Sequence, residues 1–513
     1  MSGVDNSRKK ALLSTFFSLV ALFITLVIDF IISPFIVQNI GPEANGYVQI
    51  ANNLITIASL ITIALNSMGH RMITVAYHKK DFKECNKYYS SLFFGNILIV
   101  LLLVAPAVLL IWKIDSFINI VKVGVFDVKL LFLFAFINFF VSQFVSLFNV
   151  GAFARNRLYL IYIATTIVVI LKAALYIFVF LIFDIKVYFI TVVALISSLV
   201  QLLIVFLIKV KLLPHLRFSI KDFSFKYMFV LIKNGFWNSI NQCGNLLMTG
   251  LDLILTNWFI NPLQMGLLSV SKTMPNVITT LSTTLNNSVL SHQTITYAID
   301  SKEQYFRTIE SSIKLSMLVV VVPTSIFAVF AVRFYQLWQP TLIPYELALL
   351  SLLSVAALIP LGGVQILFNV LTSMNKLKVN AITFLISGFL NIGIVLVLIK
   401  FTNLSVYAVA GVSSILSFLR FFFILLPYIS RLFNKKWFCF YKYVLKSLLL
   451  FVLIASISLP LNFVIHTNWR EFAVAVLLSL FLGYLVSYYC LFNSKERKQM
   501  LKLVRNKIYE KNY

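Results

Sequence analysis

The apolar run from Ala11 to Ser33 sets the terms on which this chain can fold. It is about 23 residues long, roughly 34 Å as a helix, enough to cross the hydrocarbon core of a bilayer. Thirteen similar runs follow, near 46–69, 89–112, 129–150, 158–180, 187–208, 234–258, 265–290, 313–335, 346–371, 379–400, 405–429, 444–465 and 471–493. Inside a bilayer the backbone must satisfy its own hydrogen bonds, so each run is read as a helix. The connecting loops are short, and none is long enough to hold a soluble domain. Of the 513 residues, 60% are hydrophobic and 12% charged, too little polar surface to cover a soluble core of this size. The expected fold class is an all-α polytopic membrane protein with about 14 transmembrane helices. MSGVDNSRKK precedes the first run, and no A-x-A cleavage pattern follows it, so that run is expected to be a retained span rather than a signal peptide.

Lys and Arg orient the chain. With the N-terminus inside, 31 of the 43 basic residues fall in inner segments and 6 in outer loops. Both termini are therefore expected in the cytoplasm. The net charge of +26 is then mostly topology, with attraction to anionic membrane lipids. Its division among eight short segments argues against nucleic acid as a partner. The four Cys form no C-x-x-C pair and the five His are scattered, so neither a disulfide framework nor a metal site is expected.

The chain repeats itself. HRMITVA (70–76) and HQTITYA (292–298) share four residues at an offset of 222. Asp29 and Asp252, Phe148-Asn149-Val150 and Phe368-Asn369-Val370, and Asn156-Arg157-Leu158 and Asn375-Lys376-Leu377 keep offsets of 219 to 223 in order. Spans 3 and 9 each carry an interior proline, Pro106 and Pro323. Spans 1–6 and 7–12 thus read as two copies of one six-helix bundle. An even number of spans per copy gives both the same orientation, related by a pseudo-two-fold axis along the membrane normal. The expected divisions are an N-terminal lobe (1–208), a basic cytoplasmic linker (209–233), a C-terminal lobe (234–430), and spans 13–14 with a basic cytoplasmic tail (431–513). Two like-oriented bundles enclose a cleft suited to alternating access.

Polar residues at helical spacing mark the spans that line such a cleft. Span 2 carries Gln49, Asn52, Thr56, Ser59 and Asn66. Span 7 carries Asn238, Asn241, Asn245, Thr249, Asp252 and Thr256. Span 8 carries Ser269, Lys272, Asn276, Thr280, Thr283 and Asn287. Span 1 carries a weaker stripe ending in Asp29 and Ser33. The competing reading is packing, since Ser, Thr and Asn also join membrane helices. Charges inside spans are more telling, because each costs roughly 2.5–3.5 kcal/mol at a helix centre. Lys172 sits near the middle of span 5. Lys272 lies about 10 Å inside span 8, with Pro275 beyond it positioned to kink that helix. Asp29 and Asp252 either bind H⁺ or Na⁺ or pair with the lysines, Asp252 with Lys272 being one such pair. Arg420 in span 12 has no assigned role. Buried cations suit an anionic substrate, and rows of amides and hydroxyls suit sugars.

These stripes, with GPEANGYVQIANNL (41–54), Asp252 followed by ILTNWFINPLQMGLLSVSK (254–272), AFARNRLYL and SMNKLKVNA, resemble the Wzx-type oligosaccharide flippases. These form the polysaccharide-transport branch of the multidrug/oligosaccharidyl-lipid/polysaccharide exporter superfamily. The resemblance implies a V-shaped cavity lined by spans 1, 2, 7 and 8. It also implies an undecaprenyl-diphosphate-linked oligosaccharide as substrate, turned from the inner to the outer leaflet of a bacterial cytoplasmic membrane for capsule or O-antigen synthesis. Polysaccharide polymerase and chain-length machinery would then be partners. In the related lipid II flippases, spans 13 and 14 form a groove for the lipid tail. Read this way, Arg71, Lys172 and Lys272 attract the diphosphate, and Asn52, Asn66, Asn241, Asn245, Asn276 and Asn287 hold the sugars. Asp29 and Asp252 are ion-coupling or structural residues. No cofactor is expected beyond a coupling H⁺ or Na⁺.

The alternative on the same fold is a cation-coupled multidrug antiporter, against which the buried lysines argue. A membrane enzyme would need an outer loop with groups able to do chemistry. The largest here, 113–128, offers Asp115 and Asp127 but no His or Arg. No phosphate-cradling P-loop occurs either.

Overall fold

A computed structural model of the chain describes residues 2–155, 157–299, 301–464, 468–494 and 496–497. Asn156 of one repeat match and the tail from 498 lie outside the described residues. The described backbone is helical throughout, without strands. The helices are α1 (Ser2–Asn39), α2 (Pro42–His78), α3 (Phe82–Trp112), α4 (Val125–Phe148), α5 (Leu158–Ile182) and α6 (Phe189–Leu212). α7 is built from Phe225–Asn245, a π-helical turn Leu246–Gly250 and Asp252–Phe259, and α8 from Pro262–Ser271 and Thr273–Ile299. α9 joins Lys302–Ser316, a π-helical turn Met317–Val321 and Val322–Trp338. α10 runs in pieces from Pro344–Val355 to Phe368–Ser373. α11 (Leu377–Phe401) is followed by α12, made of Ser405–Arg420, a π-helical turn Phe421–Leu425 and Leu426–Leu432. α13 (Tyr441–Val464) and α14 (Trp469–Leu491) complete the order.

Among the described residues, eleven helices are long and apolar enough to cross a membrane, which makes this a multi-pass membrane protein. α7, α8 and α10 are the helices that fall short of that measure. The first two carry the richest polar stripes, and the third is broken into short pieces. Several helices also outrun their apolar cores. HRMITVA and HQTITYA, expected just past helix ends, are helical turns of α2 and α8. The ends follow local chemistry. Pro42 opens α2 behind Gly41, whose φ of 117° only glycine adopts readily. Asp81 caps α3 by accepting from the Glu84 N–H at 2.9 Å. A Ser301–Gln304 capping box opens α9.

The three π-helical turns have identifiable causes. Pro323 and Pro427 follow two of them closely, and a proline without an N–H disrupts the normal ladder. In α7 the cause is a side chain. Asn391 of α11 donates its Nδ2 to the carbonyls of Met248 at 3.1 Å and Leu247 at 3.3 Å, inside the turn.

The break in α8 falls at Lys272, just before Pro275, where a kink is expected from the sequence. Pro275 cannot donate to the Ser271 carbonyl. The hydroxyls of Tyr335 (3.0 Å) and Ser351 (2.7 Å) donate to it instead, and they lie 2.6 Å from each other. All three residues are fully buried. Replacing both hydroxyls (Tyr335→Phe with Ser351→Ala) is expected to cost about 1–3 kcal/mol, the penalty for an unsatisfied buried carbonyl. Adding Pro275→Ala, which restores an N–H four residues on, should recover part of that loss in thermal unfolding. No recovery would show that the hydroxyls do not substitute for the missing donor.

The chain packs as two compact units. One comprises the residues up to Val270 with Lys378–Val409, and the other Ser271–Leu377 with the chain from Ala410 onward. Packing groups α7 and α11 with α1–α6. In the first unit, α2, α3, α4 and α6 enclose a core that includes Leu65, Ile73, Tyr89, Leu92, Leu147 and Val205. The 213–224 linker lies on α3, with Phe218 stacked on Phe93 at 4.3 Å and Ser219 N–H donating to Ser90 Oγ at 3.0 Å. In the second unit, α9, α10, α12, α13 and α14 share a core that includes Ile309, Met317, Leu367, Leu425 and Ile454.

Candidate functional site

In the first unit, α2 and α7 cross antiparallel at very short range. Ser239 Oγ donates to the Leu60 carbonyl at 2.8 Å, and Gly235 lies against the backbone of Ala64. The register carries Asn52 to the level of Leu247, beside Asn245 and Thr249. The side chains of Asn52, Asn245 and Thr249 are all exposed.

α7 has two unlike exposed faces. Asn245 lies between the side packed on α2 and the side packed on α11, while Phe225, Phe229 and Phe236 line the opposite face, 63%, 64% and 49% exposed. An aromatic face suits lipid tails. An exposed amide or hydroxyl, as at Asn245 and Thr249 farther along the helix, is costly against hydrocarbon, because nothing there can satisfy it.

The predicted residues divide into two groups. Asn66 is tied into a network between helices, donating to Gln143 Oε1 at 3.1 Å and accepting from Asn96 Nδ2 at 2.9 Å. Asn241 Oδ1 accepts from Asn380 Nδ2 of α11 at 2.6 Å. Both do the packing work that amides perform between membrane helices. Asn52 and Asn245 stay exposed, and Arg71 is exposed near the end of α2. In the second unit, Asn276, Thr279, Thr283 and Asn287 form an exposed stripe along α8, with Lys272 half-buried at its break. Asp252 is buried beyond the π-helical turn of α7, and the Thr256 hydroxyl donates to its carbonyl at 2.7 Å.

The two intramembrane charges of the first bundle interact electrostatically with each other: Asp29 of α1 with Lys172 of α5. The Lys172 ammonium also lies 5.6 Å from the centre of the Tyr176 ring, whose hydroxyl donates to the Ile190 carbonyl at 3.3 Å. The Lys172 ammonium thus lies in the field of a carboxylate and near an aromatic ring.

Sequence reasoning missed Asn96, Gln143, Asn380 and Asn391. Each is an amide inside an apolar run, and that was the available signal. Among the described residues, no three His, Cys, Asp or Glu side chains come together as metal ligands, and the four cysteines are free.

No protein-family model matches the chain. It is 25% identical over 484 residues to the uncharacterized membrane protein EpsK of Bacillus subtilis (strain 168), covering 94% of this chain and 96% of that one. A multidrug resistance MATE family transporter of the MOP superfamily, inward-facing, aligns with a TM-score of 0.65 and 14% identity, over 83% of this chain and 99% of its own. Lipid II flippase MurJ, in an inward closed conformation, aligns with a TM-score of 0.65 and 12% identity, over 94% and 99%. The MATE multidrug transporter DinF-BH aligns at 0.60 with 16% identity, over 84% and 96%. The fold is the one these MATE transporters and MurJ share.

Proposed function

We propose that this protein is a flippase that moves undecaprenyl-diphosphate-linked oligosaccharide units from the inner to the outer leaflet of a bacterial cytoplasmic membrane. The exported glycan serves capsule, O-antigen or a related surface polymer, and transport proceeds by alternating access. The observation that carries this reading is the exposed amides and hydroxyls on α2 and α7 in one unit and on α8 in the other, in an otherwise apolar chain, with a lysine inside a membrane span in the field of Asp29. Sugars need many neutral donors and acceptors, and a diphosphate needs a cation. The reach of the MurJ alignment supports a lipid-linked substrate, since it covers 94% of this chain against 83% for the MATE transporter.

In this scheme Arg71 meets the diphosphate at the cytoplasmic end of α2. Lys172 and Lys272 hold it farther in, while Asn52, Asn245, Asn276 and Asn287 bind the glycan. Asn66 and Asn241 act through the helices they position. When the diphosphate takes Lys172, Asp29 loses its partner and binds H⁺ or Na⁺, which ties ion movement to substrate movement; Asp252 is the second candidate for that role. Polysaccharide polymerase and chain-length machinery receive the product.

Deleting the gene is expected to leave lipid-linked oligosaccharide accumulating on the inner leaflet and to remove the surface glycan. An unchanged surface glycan with no accumulation would refute the flippase reading. The MATE fold keeps a second reading open, a cation-coupled multidrug antiporter. Uptake of a cationic dye into everted vesicles, lost in Asp252→Asn, would favour it.

A further inference from the structure

We propose that the 113–124 loop is the outer lock of the transport path, clasping the end of α7 through a reciprocal Asn119–Asn257 pair. The inference rests on the transport reading for its direction, since that reading places these ends outside.

The clasp is built from both expected repeats. Asn119 N–H donates to Asn257 Oδ1 at 2.8 Å, Asn119 Nδ2 to the Asn257 carbonyl at 2.9 Å, and Asn257 Nδ2 to the Asn119 carbonyl at 3.0 Å. Asn257 is fully buried. Tyr47 of α2, also fully buried, reinforces the same turn. Its hydroxyl donates to the Asn119 carbonyl at 3.1 Å and accepts from the Val121 N–H at 3.1 Å. Lys122 of the loop pairs with the buried Glu43 at 3.4 Å. The Trp258 indole N–H donates to the Phe117 carbonyl, and the two rings meet edge to face at 5.3 Å. Beside the clasp, Asn45 Nδ2 donates to Ser269 Oγ at 2.9 Å. A Cβ on Gly266 would lie 2.5 Å from the Pro42 carbonyl carbon, so the backbones there touch.

Two features make this a latch rather than ordinary packing. First, nearly all its bonds are polar and directional, so they are lost together once the loop lifts. Second, the clasped piece of α7, Asp252–Phe259, is joined to the rest of α7 through the π-helical turn Leu246–Gly250, which ends in a glycine. The inner piece, Phe225–Asn245, is packed separately on α2 and α11. The outer piece can therefore swing at the turn while the inner piece stays seated. The GPEANG stretch gains a physical role as well, because Glu43, Asn45 and the neighbouring Tyr47 all serve this contact.

The test reads access and needs no substrate. In full-length protein in proteoliposomes, with the four native cysteines replaced by serine, Asn52→Cys reports whether a membrane-impermeant maleimide reaches the polar face from outside. Adding Asn257→Ala is expected to speed labelling about tenfold, the factor that follows from losing one or two net hydrogen bonds. Lys186→Ala, which removes only an ion pair with Asp127 outside that loop, should leave the rate unchanged. In a second protein, Asn119→Cys with Asn257→Cys is oxidised to a crosslink. Labelling at Asn52→Cys should then stop and return on reduction. An unchanged rate in Asn257→Ala together with full labelling of the crosslinked protein would overturn the lock. Labelling that responds as expected in a protein whose deletion leaves the surface glycan intact would instead remove the flippase reading and keep the lock.

Discussion

Lys172→Met is expected to abolish glycan export and to lower the unfolding temperature of the purified protein. The methionine keeps the length and apolar stem of the side chain while deleting the ammonium that Asp29 faces. An unpaired charge within a span costs roughly 2.5–3.5 kcal/mol, less whatever protonation of Asp29 recovers. Adding Asn at position 29 removes the stranded carboxylate, so Asp29→Asn with Lys172→Met should regain most of the stability. It should not regain export, because the cation that attracts the diphosphate is still missing. The split between the two readouts is the informative result: a structural ion pair would recover both, and a substrate-binding lysine only the first. Normal export by Lys172→Met, at wild-type protein level, would remove Lys172 from the transport path. A double variant no more stable than the single one would show that the two charges do not depend on each other.

Gly235→Ala is expected to be the most damaging single methyl group in the first unit. Its Cβ would fall 2.0 Å from the Ala64 carbonyl oxygen, 2.7 Å from the carbonyl carbon and 2.8 Å from Cα. These obstacles are backbone atoms of a neighbouring helix, so no side-chain rotation relieves them, and α2 and α7 must move apart. Overpacking of this kind costs about 3 kcal/mol. The separation would also break the 2.8 Å bond from Ser239 to Leu60. Gly393 in α11 is the matched control, because a Cβ there meets nothing within 4 Å. Gly393→Ala should be neutral or slightly stabilising, up to about 1 kcal/mol from helix propensity. Equal unfolding temperatures for the two variants would contradict the close crossing.

Helix positions were legible because a bilayer imposes one rule on every span: an apolar run of sufficient length that closes its own hydrogen bonds. The exposed stripes were legible for a related reason, since hydrocarbon cannot satisfy an amide and the periodicity of Asn276, Thr283 and Asn287 survives in any packing. The division of the amides into exposed and helix-joining positions was not legible. Asn52 and Asn66 lie on one helix in one stripe, and only the presence of Gln143 and Asn96 beside Asn66 separates them. The same holds for Asn241, whose partner Asn380 is more than a hundred residues away in the chain.

The sequence by itself determined the membrane class, the approximate place of each helix and the residues available for polar work, because these follow from local composition and helical spacing. Only the tertiary structure decided that Asp29 faces Lys172, that Asn391 opens the π-helical turn of α7 and that Asn119 meets Asn257. It also decided that α7 and α11 pack with the first bundle. Each of these depends on which surfaces of distant helices come into contact. In a chain of nearly uniform apolar helices, hydrophobicity cannot choose among such pairings. Close fits at small residues and matched polar partners make the choice, and they exist only once the helices have met.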